Sequence, residues 1–234
     1  VGDAHTCAIA SGKAFCWGYN ESSQLGSAKA KKEAVFIPTE VDTDGALKNK
    51  TITAIAVGSS HTCVSSTNEL FCWGVDYNGQ LGSGMYGGIK EIKDAKPIQF
   101  SKGVVKQIQS IKANSNSTCV IADSELYCWG YNASGRFNSS TPESIAKPGK
   151  IEMVGQLLGR EIQEVGIGSD YLCVLASSAP LCWGANQQGQ LGNGSNLSSS
   201  IQVKVSSTVV KAGSTLDLSV ANSTSCAIAE GRIY

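Results

Sequence analysis

The chain is poor in charge, in histidine and in aromatic residues. Of its 234 residues only 16% are charged, and 19 basic residues against 19 acidic ones give a formal net charge of zero. Proteins that bind nucleic acid through its phosphates carry a basic stripe. The one basic run here, residues 29–32, is interrupted by an alanine. We therefore predict no nucleic-acid partner.

Long apolar runs and close-set metal ligands are also missing from the sequence. No stretch approaches the roughly 18 consecutive apolar residues of a membrane helix, so we predict no membrane span in this chain. The short Cys/His spacings of zinc sites do not occur. Gly82-x-Gly84-x-x-Gly87 matches a dinucleotide motif by its letters, but it does not follow a predicted strand. We predict neither a metal nor another cofactor.

Cysteine, by contrast, is abundant and evenly placed. Four pairs are each nine positions apart and each is followed at once by Trp-Gly; the pairs are Cys7/Cys16, Cys63/Cys72, Cys119/Cys128 and Cys173/Cys182. The tryptophans recur at intervals of 56, 56 and 54 residues, and the ninth cysteine, Cys226, opens a fifth copy. A fixed period of this size indicates a repeat architecture.

Each copy contains the pattern of several short strands. In the second copy, residues 52–57 are a β-branched apolar run typical of a buried strand, and residues 61–64 and 70–73 predict a hairpin. The two cysteines then oppose each other across the hairpin, within reach of a disulfide. We predict one such cross-strand disulfide per copy, stabilising each copy by roughly 2–3 kcal/mol.

A fourth strand is predicted in every copy, at residues 38–41, 97–100, 150–154 and 201–205. Three or four short strands per unit, repeated radially, are typical of the blades of a β-propeller. The predicted fold class is therefore all-β, with about four propeller blades and one cross-strand disulfide in each.

The cysteines and the asparagines both indicate a secreted or cell-surface protein. Matched cysteine spacing favours an oxidising compartment. Eight of the twelve asparagines lie in Asn-x-Ser/Thr sequons, namely Asn20, Asn49, Asn116, Asn132, Asn138, Asn193, Asn196 and Asn222. Sequons of this kind mark glycan acceptors on secreted proteins. Asn20 and Asn132 both follow Trp-Gly, which predicts glycans on one rim; the alternative is a Ser-rich bacterial composition without glycans.

The combined motifs resemble the regulator-of-chromosome-condensation repeat family. They are Gly-x-x-His-Thr-Cys, then Cys-Trp-Gly-x-Asn-x-x-Gly-Gln-Leu-Gly, then Pro-x-x-Val, and they are most similar to the disulfide-bearing, secreted or cell-surface branch. The resemblance covers nearly the whole chain. It implies a single array over residues 1–234, with blades at approximately 1–50, 51–106, 107–162 and 163–213 and a partial blade at 214–234.

Propellers of this family usually have seven blades. The resemblance therefore implies that the chain is part of a larger propeller, or that it meets copies of itself. Cys226 would be unpaired because its partner position lies one residue past Tyr234, or it would form an intermolecular disulfide.

No catalytic constellation is evident in the sequence. His5 and His61 share one repeat position, two residues before a cysteine assigned to a disulfide, so the free thiolate of a Cys–His nucleophile is missing. We expect structural histidines that are hydrogen-bonded within their blades, and we expect no enzyme.

Two functions fit these features. The first is an extracellular structural or surface-display glycoprotein that contacts other proteins or itself. The second is a secreted binding module, of the inhibitor or receptor-ectodomain type. Such a module would recognise a protein partner through the variable loops at residues 27–37, 77–96 and 193–200, because recognition residues concentrate on loops held by a rigid scaffold.

Overall fold

A computed structural model describes most of the chain as strands. The described residues are 1–30, 33–92, 95–101, 103–132, 135–137, 143–206, 216–230 and 232–234. Within these ranges the strands form five antiparallel sheets of three or four strands, each built from consecutive strands. The prediction of an all-β fold is confirmed.

The strands follow one another within each sheet. The first sheet holds β1 (His5–Ala10), β2 (Lys13–Gly18) and β3 (Val35–Glu40). The second holds β4 (Ala54–Val57), β5 (His61–Ser66), β6 (Glu69–Val75) and β7 (Ile89–Lys90). The third holds β8 (Ile108–Asn114), β9 (Ser117–Ala122), β10 (Glu125–Tyr131) and β11 (Ser144–Lys150).

After a 3-10 turn at Gly155–Leu157, the fourth sheet holds β12 (Ile162–Ile167), β13 (Tyr171–Ala176), β14 (Ala179–Gly184) and β15 (Ser199–Lys204). The fifth holds β16 (Leu216–Val220), β17 (Ser225–Ala229) and β18 (Arg232–Ile233). We refer to the five sheets as blades 1 to 5. The predicted blade limits remain a proposal, and β12 begins at Ile162, the last residue of the predicted third blade.

From blade 2 onward, neighbouring blades pack against each other through their first strands. β4 packs against β8, β8 against β12, and β12 against β16. Apolar side chains fill the space between each pair of neighbouring blades, in four separate clusters. Because neighbouring blades cover both of their faces, β5, β9 and β13 are buried along their whole length, whereas the outer strand β3 is mostly exposed.

The two ends of the blades differ in what they carry. In an antiparallel sheet of consecutive strands, the connection from the first to the second strand and that from the third to the fourth leave the same end. We call this end the loop face; it includes residues 76–88 and 185–198. The hairpin turns and the connections between blades, such as residues 151–161, lie on the opposite face.

The predicted fourth strand of blade 2, at residues 97–100, is wrong. The structure places β7 at Ile89–Lys90, and Phe100 forms only an isolated bridge with Gly103. Ile92 is buried between blades 1 and 2, whereas Ile98 is buried between blades 2 and 3. The Ile98 N–H nevertheless donates to the carbonyl of Leu70 in β6 (2.9 Å). The fourth strand of blade 3 also ends at Lys150, where the sequence predicted it to begin.

No helix in the described part of the chain is long and apolar enough to cross a membrane.

Candidate functional site

Each of the first four blades is closed by one disulfide between its second and third strands. Cys7 lies opposite Cys16, Cys63 opposite Cys72, Cys119 opposite Cys128, and Cys173 opposite Cys182, with 4.1 Å between the paired Cα atoms. The predicted cross-strand disulfides are confirmed. Cys226 lies on β17 opposite Ser219, is half-buried, and has a free thiol.

The Gln-Leu-Gly motif belongs to a loop organised by one buried polar side chain. In each of four blades, the side-chain oxygen of an Asn or Asp accepts a hydrogen bond from the backbone N–H five residues later, in the pairs Asn20/Leu25, Asp76/Leu81, Asn132/Phe137 and Asn186/Leu191. The Gln side chain closes the same loop, because Oε1 of Gln24 accepts the N–H of Ser22.

This loop is also the contact point for the next blade. The carbonyl of Gln24 accepts hydrogen bonds from the Thr62 hydroxyl (2.8 Å) and from the Trp73 indole N–H (3.0 Å), both in blade 2. Gly26 has φ +66° and lies so close to the indole that a Cβ would come within 2.6 Å of its Nε1. Only glycine fits there, because it tolerates positive φ and carries no Cβ.

We call the hydrogen-bonded contact between two neighbouring blades a joint. The joint between blades 2 and 3 repeats the arrangement of the joint between blades 1 and 2. The carbonyl of Gln80 accepts from the Thr118 hydroxyl (3.0 Å) and from Trp129 Nε1–H (2.9 Å). The repeated spacing of Trp and the loop motif within this chain therefore encodes contacts between blades, since Trp73, Trp129 and Trp183 each donate to the loop of the blade before their own.

The two histidines strengthen the same joints. His5 Nε2 lies 3.0 Å from Thr62 Oγ1, and His61 Nε2 lies 3.0 Å from Thr118 Oγ1. Because each threonine hydroxyl donates to a carbonyl, each histidine donates through Nε2–H. The expectation that these histidines bond within their own blades is wrong: both reach the following blade.

Burial keeps both imidazoles neutral. It lowers the pKa of His61 from 6.5 to about 3, with a smaller contribution from His5, and it lowers the pKa of His5 to about 4. Nδ1 of each ring is buried without a hydrogen-bond partner. Neutral, enclosed rings bonded to threonine are structural groups.

The joint between blades 3 and 4 uses different chemistry. Ser117 stands at the histidine position, and Arg136 stands at the position of Gln24 and Gln80. Arg136 is fully buried and donates to Ser117 Oγ (2.6 Å) and to the carbonyls of Tyr131 (2.8 Å) and Gly168 (2.8 Å), as well as to that of Ser169.

Desolvation lowers the pKa of Arg136 to about 10, and Asp170 acts in the opposite direction. The guanidinium thus remains charged at neutral pH and occupies the space beside Ser117. Blade 3 therefore differs from blades 1 and 2 at Ser117 and Arg136 together, because these two residues form a different joint.

The joint between blades 4 and 5 has a third form. Tyr171 replaces the histidine and donates its hydroxyl to the carbonyl of Ala221 (3.1 Å) in blade 5. Ser225 replaces the threonine and donates to the carbonyl of Gln190 (2.8 Å). Burial raises the pKa of Tyr171, so this hydroxyl stays protonated at neutral pH.

The sequons fall into distinct environments. Asn49, Asn196 and Asn222 are exposed, and Asn116 and Asn193 are half-buried. Asn20 and Asn132 are only 3% and 2% exposed, and both side chains serve as the loop acceptors described above. A glycan attached to either amide would have no open path to solvent and would disrupt the hydrogen bonds of its loop. This argues against the prediction that Asn20 and Asn132 carry glycans on one rim of the propeller. Asn138 lies outside the described residues.

Exposed apolar side chains collect at the three loops that the sequence singled out. Phe36 in β3 is 91% exposed, Met85 in the connection after β6 is 59% exposed, and Leu197 in the connection after β14 is 74% exposed. Ile37, Tyr77 and Tyr86 in the same segments are exposed as well. Contiguous exposed apolar surface marks interaction sites, so these three segments are the candidates for one.

An open groove of about 900 Å³ lies on the outer side of the molecule between blades 2 and 3. Its floor includes Leu81, Ile98 and Phe100, and its rim includes Met85, Lys96 and Lys147. Among the described residues, no group of three His, Cys, Asp or Glu side chains could hold a metal ion.

The fold and its repeated joints define a β-propeller in which each of the first four blades contains one disulfide. Residues 11–65 and residues 52–80 each match a model of the Regulator of chromosome condensation (RCC1) repeat. The crystal structure of Prp20p from Saccharomyces cerevisiae superposes with a TM-score of 0.76 at 19% identity, over 96% of this chain and 53% of that one. The chain therefore contains repeats of the RCC1 type.

Two relatives show how widely this repeat is used. The E3 ubiquitin-protein ligase HERC2 of Mus musculus is 30% identical over 186 residues, which are 79% of this chain and 4% of that protein. The ultraviolet-B receptor UVR8 of Arabidopsis thaliana is 28% identical over 213 residues, which are 89% of this chain and 46% of that protein. The chain therefore spans less than half the length of either relative.

Proposed function

We propose that this chain is an extracellular protein-binding propeller that recognises its partner through the exposed apolar side chains at the loop face and along β3. The observation that carries this proposal is the exposure of these side chains in the segments where they lie. Phe36, Met85 and Leu197 belong to the three segments that vary most between blades, whereas the joints beneath them are buried and hydrogen-bonded. Variable loops on a rigid scaffold are the usual arrangement of recognition sites.

The disulfides support the extracellular part of the proposal. One disulfide in each of blades 1 to 4, each across the hairpin, fits an oxidising compartment better than the reducing cytosol. We further propose Asn49, Asn196 and Asn222 as the glycan acceptors, because these are the exposed sequons. Protein binding has a precedent in the family, since the structure of Prp20p was described together with its binding to Gsp1p and histones.

A binding screen with matched variants tests the recognition surface. The biotinylated chain is screened against secreted and cell-surface proteins of its source, and each binder is retested with Phe36→Ser, Met85→Ser and Leu197→Ser. Val104→Ser and Leu158→Ser are the controls, because these side chains are equally exposed but lie in connections between blades, on the other face. We expect weaker binding for the first set alone. Equal binding by both sets would refute the proposed surface.

A second candidate is a surface-display protein that assembles with copies of itself. The free, half-buried thiol of Cys226 favours it, because an unpaired cysteine in a secreted protein is available for intermolecular pairing. Mass measurement of the natural protein without reductant tests this candidate. A disulfide-linked dimer that Cys226→Ser abolishes would support it, and a monomer with a free thiol would count against it.

A further inference from the structure

We propose that Asn193 is a modification site, at which the chain converts its own asparagine into aspartate and isoaspartate through a succinimide. The loop from residue 186 to residue 198 supplies the reacting groups, and water is the only co-reactant. The site goes beyond the proposed function, and only its consequence for partner binding rests on that function.

The reaction joins two groups of neighbouring residues. The backbone nitrogen of Gly194 attacks Cγ of Asn193, so that an N–Cγ bond forms and the Cγ–Nδ2 bond breaks. The proton of the Gly194 N–H passes through solvent to Nδ2, which leaves as ammonia. Water then opens the succinimide at either of its carbonyls, which gives aspartate or isoaspartate. Glycine hinders the attack least, because it has no Cβ beside its nitrogen.

A second Asn-Gly pair, Asn78-Gly79, provides a comparison. The N–H of Gly79 donates to the carbonyl of Asp76 (3.2 Å), so its nitrogen is held. A Cβ on Gly79 would come within 2.6 Å of the Cα of Ala146, so blade 3 packs directly against this glycine. Oδ1 of Asn78 is approached only by the hydroxyl of Ser144, at 3.5 Å. We therefore expect the fold to protect Asn78 from the same reaction.

The surroundings of Gly194 are open. No described residue accepts the N–H of Gly194, and nothing lies within 4 Å of the position that a Cβ on Gly194 would take. Gly194 is exposed, and so are residues 195–198. The attacking nitrogen is therefore not held by a hydrogen bond, and the succinimide ring has room to form.

The loop also polarises the carbonyl that is attacked. Oδ1 of Asn193 accepts hydrogen bonds from the Ser195 N–H (3.1 Å) and from Nδ2 of the buried Asn186 (3.2 Å). Negative charge develops on this oxygen as the nitrogen adds to Cγ, and donors aimed at it stabilise that charge. Asn186 is fixed in turn, because its own Oδ1 accepts the N–H of Leu191 (2.9 Å). The fold thus holds both donors in place before the reaction begins.

The product changes the segment that carries Leu197. Residues 193–200 contain no charged side chain, so aspartate or isoaspartate introduces a negative charge there. Isoaspartate also lengthens the backbone by a carbon atom, which alters the position of the residues around it. If Leu197 contacts a partner as proposed above, conversion of Asn193 weakens that contact. The site then acts as a slow, irreversible regulator of binding.

Peptide mapping by mass spectrometry tests the site. The full, disulfide-intact chain is made without N-glycans, because enzymatic removal of a glycan itself converts Asn to Asp. It is incubated at neutral pH in heavy-oxygen water, which labels only residues that convert during the incubation. We expect Asn193 to convert at least about tenfold faster than Asn78, the rate equivalent of the hydrogen bond that holds Gly79. In urea with the disulfides reduced, the two rates should agree within about twofold, because the fold then holds neither pair.

Two matched variants locate the reaction. Gly194→Ala should slow conversion of Asn193 about tenfold or more, because a Cβ crowds the attacking nitrogen. Gly189→Ala is the control, since Gly189 lies in the same loop with φ +76° against +79° for Gly194 and has equally open surroundings. It should stay within about twofold of the parent. Unfolding curves confirm that both variants are folded.

The outcomes separate this proposal from the proposed function. Equal rates for Asn193 and Asn78 in the folded chain, an unchanged rate ratio in urea, or an undiminished rate in Gly194→Ala would overturn the modification site. If Asn193 converts but Asn193→Asp binds the partner as tightly as the parent, the site stands and the proposed contact at Leu197 fails. If Asn193 does not convert while Leu197→Ser still weakens binding, the site fails and the proposed function stands.

Discussion

Acidification should destabilise this propeller through His61. Its imidazole is fully buried, donates to Thr118 across the joint between blades 2 and 3, and has a pKa lowered by burial from 6.5 to about 3. Between these two pH values the unfolded chain binds a proton that the folded chain does not. The stability contributed by the neutral ring is therefore complete above about pH 6.5 and is lost as the pH falls, at about 1.4 kcal/mol per pH unit.

The magnitude is large enough to measure. Moving from about pH 7.5 to about pH 4.5 crosses some two units below the unfolded pKa, so His61 alone should cost about 3 kcal/mol. His5 acts in the same direction, because burial lowers its pKa to about 4. Asp76 acts in the opposite direction, because burial raises its pKa. The loss in the parent protein is therefore a sum, and a variant is needed to isolate His61.

Urea unfolding of the disulfide-intact protein at the two pH values is the assay, followed by the fluorescence of the buried tryptophans Trp73 and Trp129. His61→Gln keeps a donor for Thr118 but removes the titrating group, so it should lose about 3 kcal/mol less than the parent on acidification. Thr118→Val is the control, because it removes the hydrogen bond and retains the histidine. Equal losses in the parent and in His61→Gln would refute the reasoning.

Three further predictions concern the third joint, the disulfides and the sequons. Arg136→Gln should cost about 3 kcal/mol or more, because it strips a buried donor from Ser117 and from three carbonyls. Adding Ser117→His and Leu172→Thr, which rebuilds the joint of blades 2 and 3, should recover much of that loss in urea unfolding; a fully stable Arg136→Gln would contradict this. Cys63→Ala/Cys72→Ala should cost roughly 2–3 kcal/mol, whereas Cys226→Ala should cost less than about 0.5 kcal/mol; similar midpoints for the two would contradict this. Glycopeptide mapping after secretion from a eukaryotic cell should find glycans on Asn49, Asn196 and Asn222 and none on Asn20 or Asn132; an occupied Asn20 would show that its loop opens.

The features that recur in sequence were the ones that could be predicted. The Cys–Cys–Trp-Gly spacing indicated the hairpin, its disulfide and the blade repeat, because opposed positions in a two-residue hairpin are fixed by spacing alone. The Asn20 and Asn132 sequons were misleading, because the same polar side chain that glycosylation requires is also the best acceptor for a tight loop. Their equivalents, Asp76 and Asn186, lie outside any sequon, and comparing the four positions would have indicated a structural role.

Contacts between blades were not predictable in the same way. The hydrogen-bond partner of His61 is Thr118, 57 residues away, and the local sequence around either residue does not indicate the other. The role of Arg136 depends on Ser117 and on carbonyls of the next blade, so it required the packed structure. The proline pattern set the fourth strand of blade 2 at residues 97–100, but Pro97 has no N–H to donate to a ladder, and β7 lies at Ile89–Lys90.

The joint at Arg136 also gives the blades an order. Blades with nearly identical hairpins could in principle stack in the wrong sequence during folding. Blade 3, however, presents a guanidinium that needs the carbonyls of Gly168 and Ser169, while blade 4 presents Leu172 where blades 2 and 3 present threonine. If blade 2 packed onto blade 4, His61 would face Leu172 and lose its acceptor, and Arg136 would be left with an uncompensated buried charge. The divergent joint therefore disfavours packing of blade 2 on blade 4 and favours the native order of the blades.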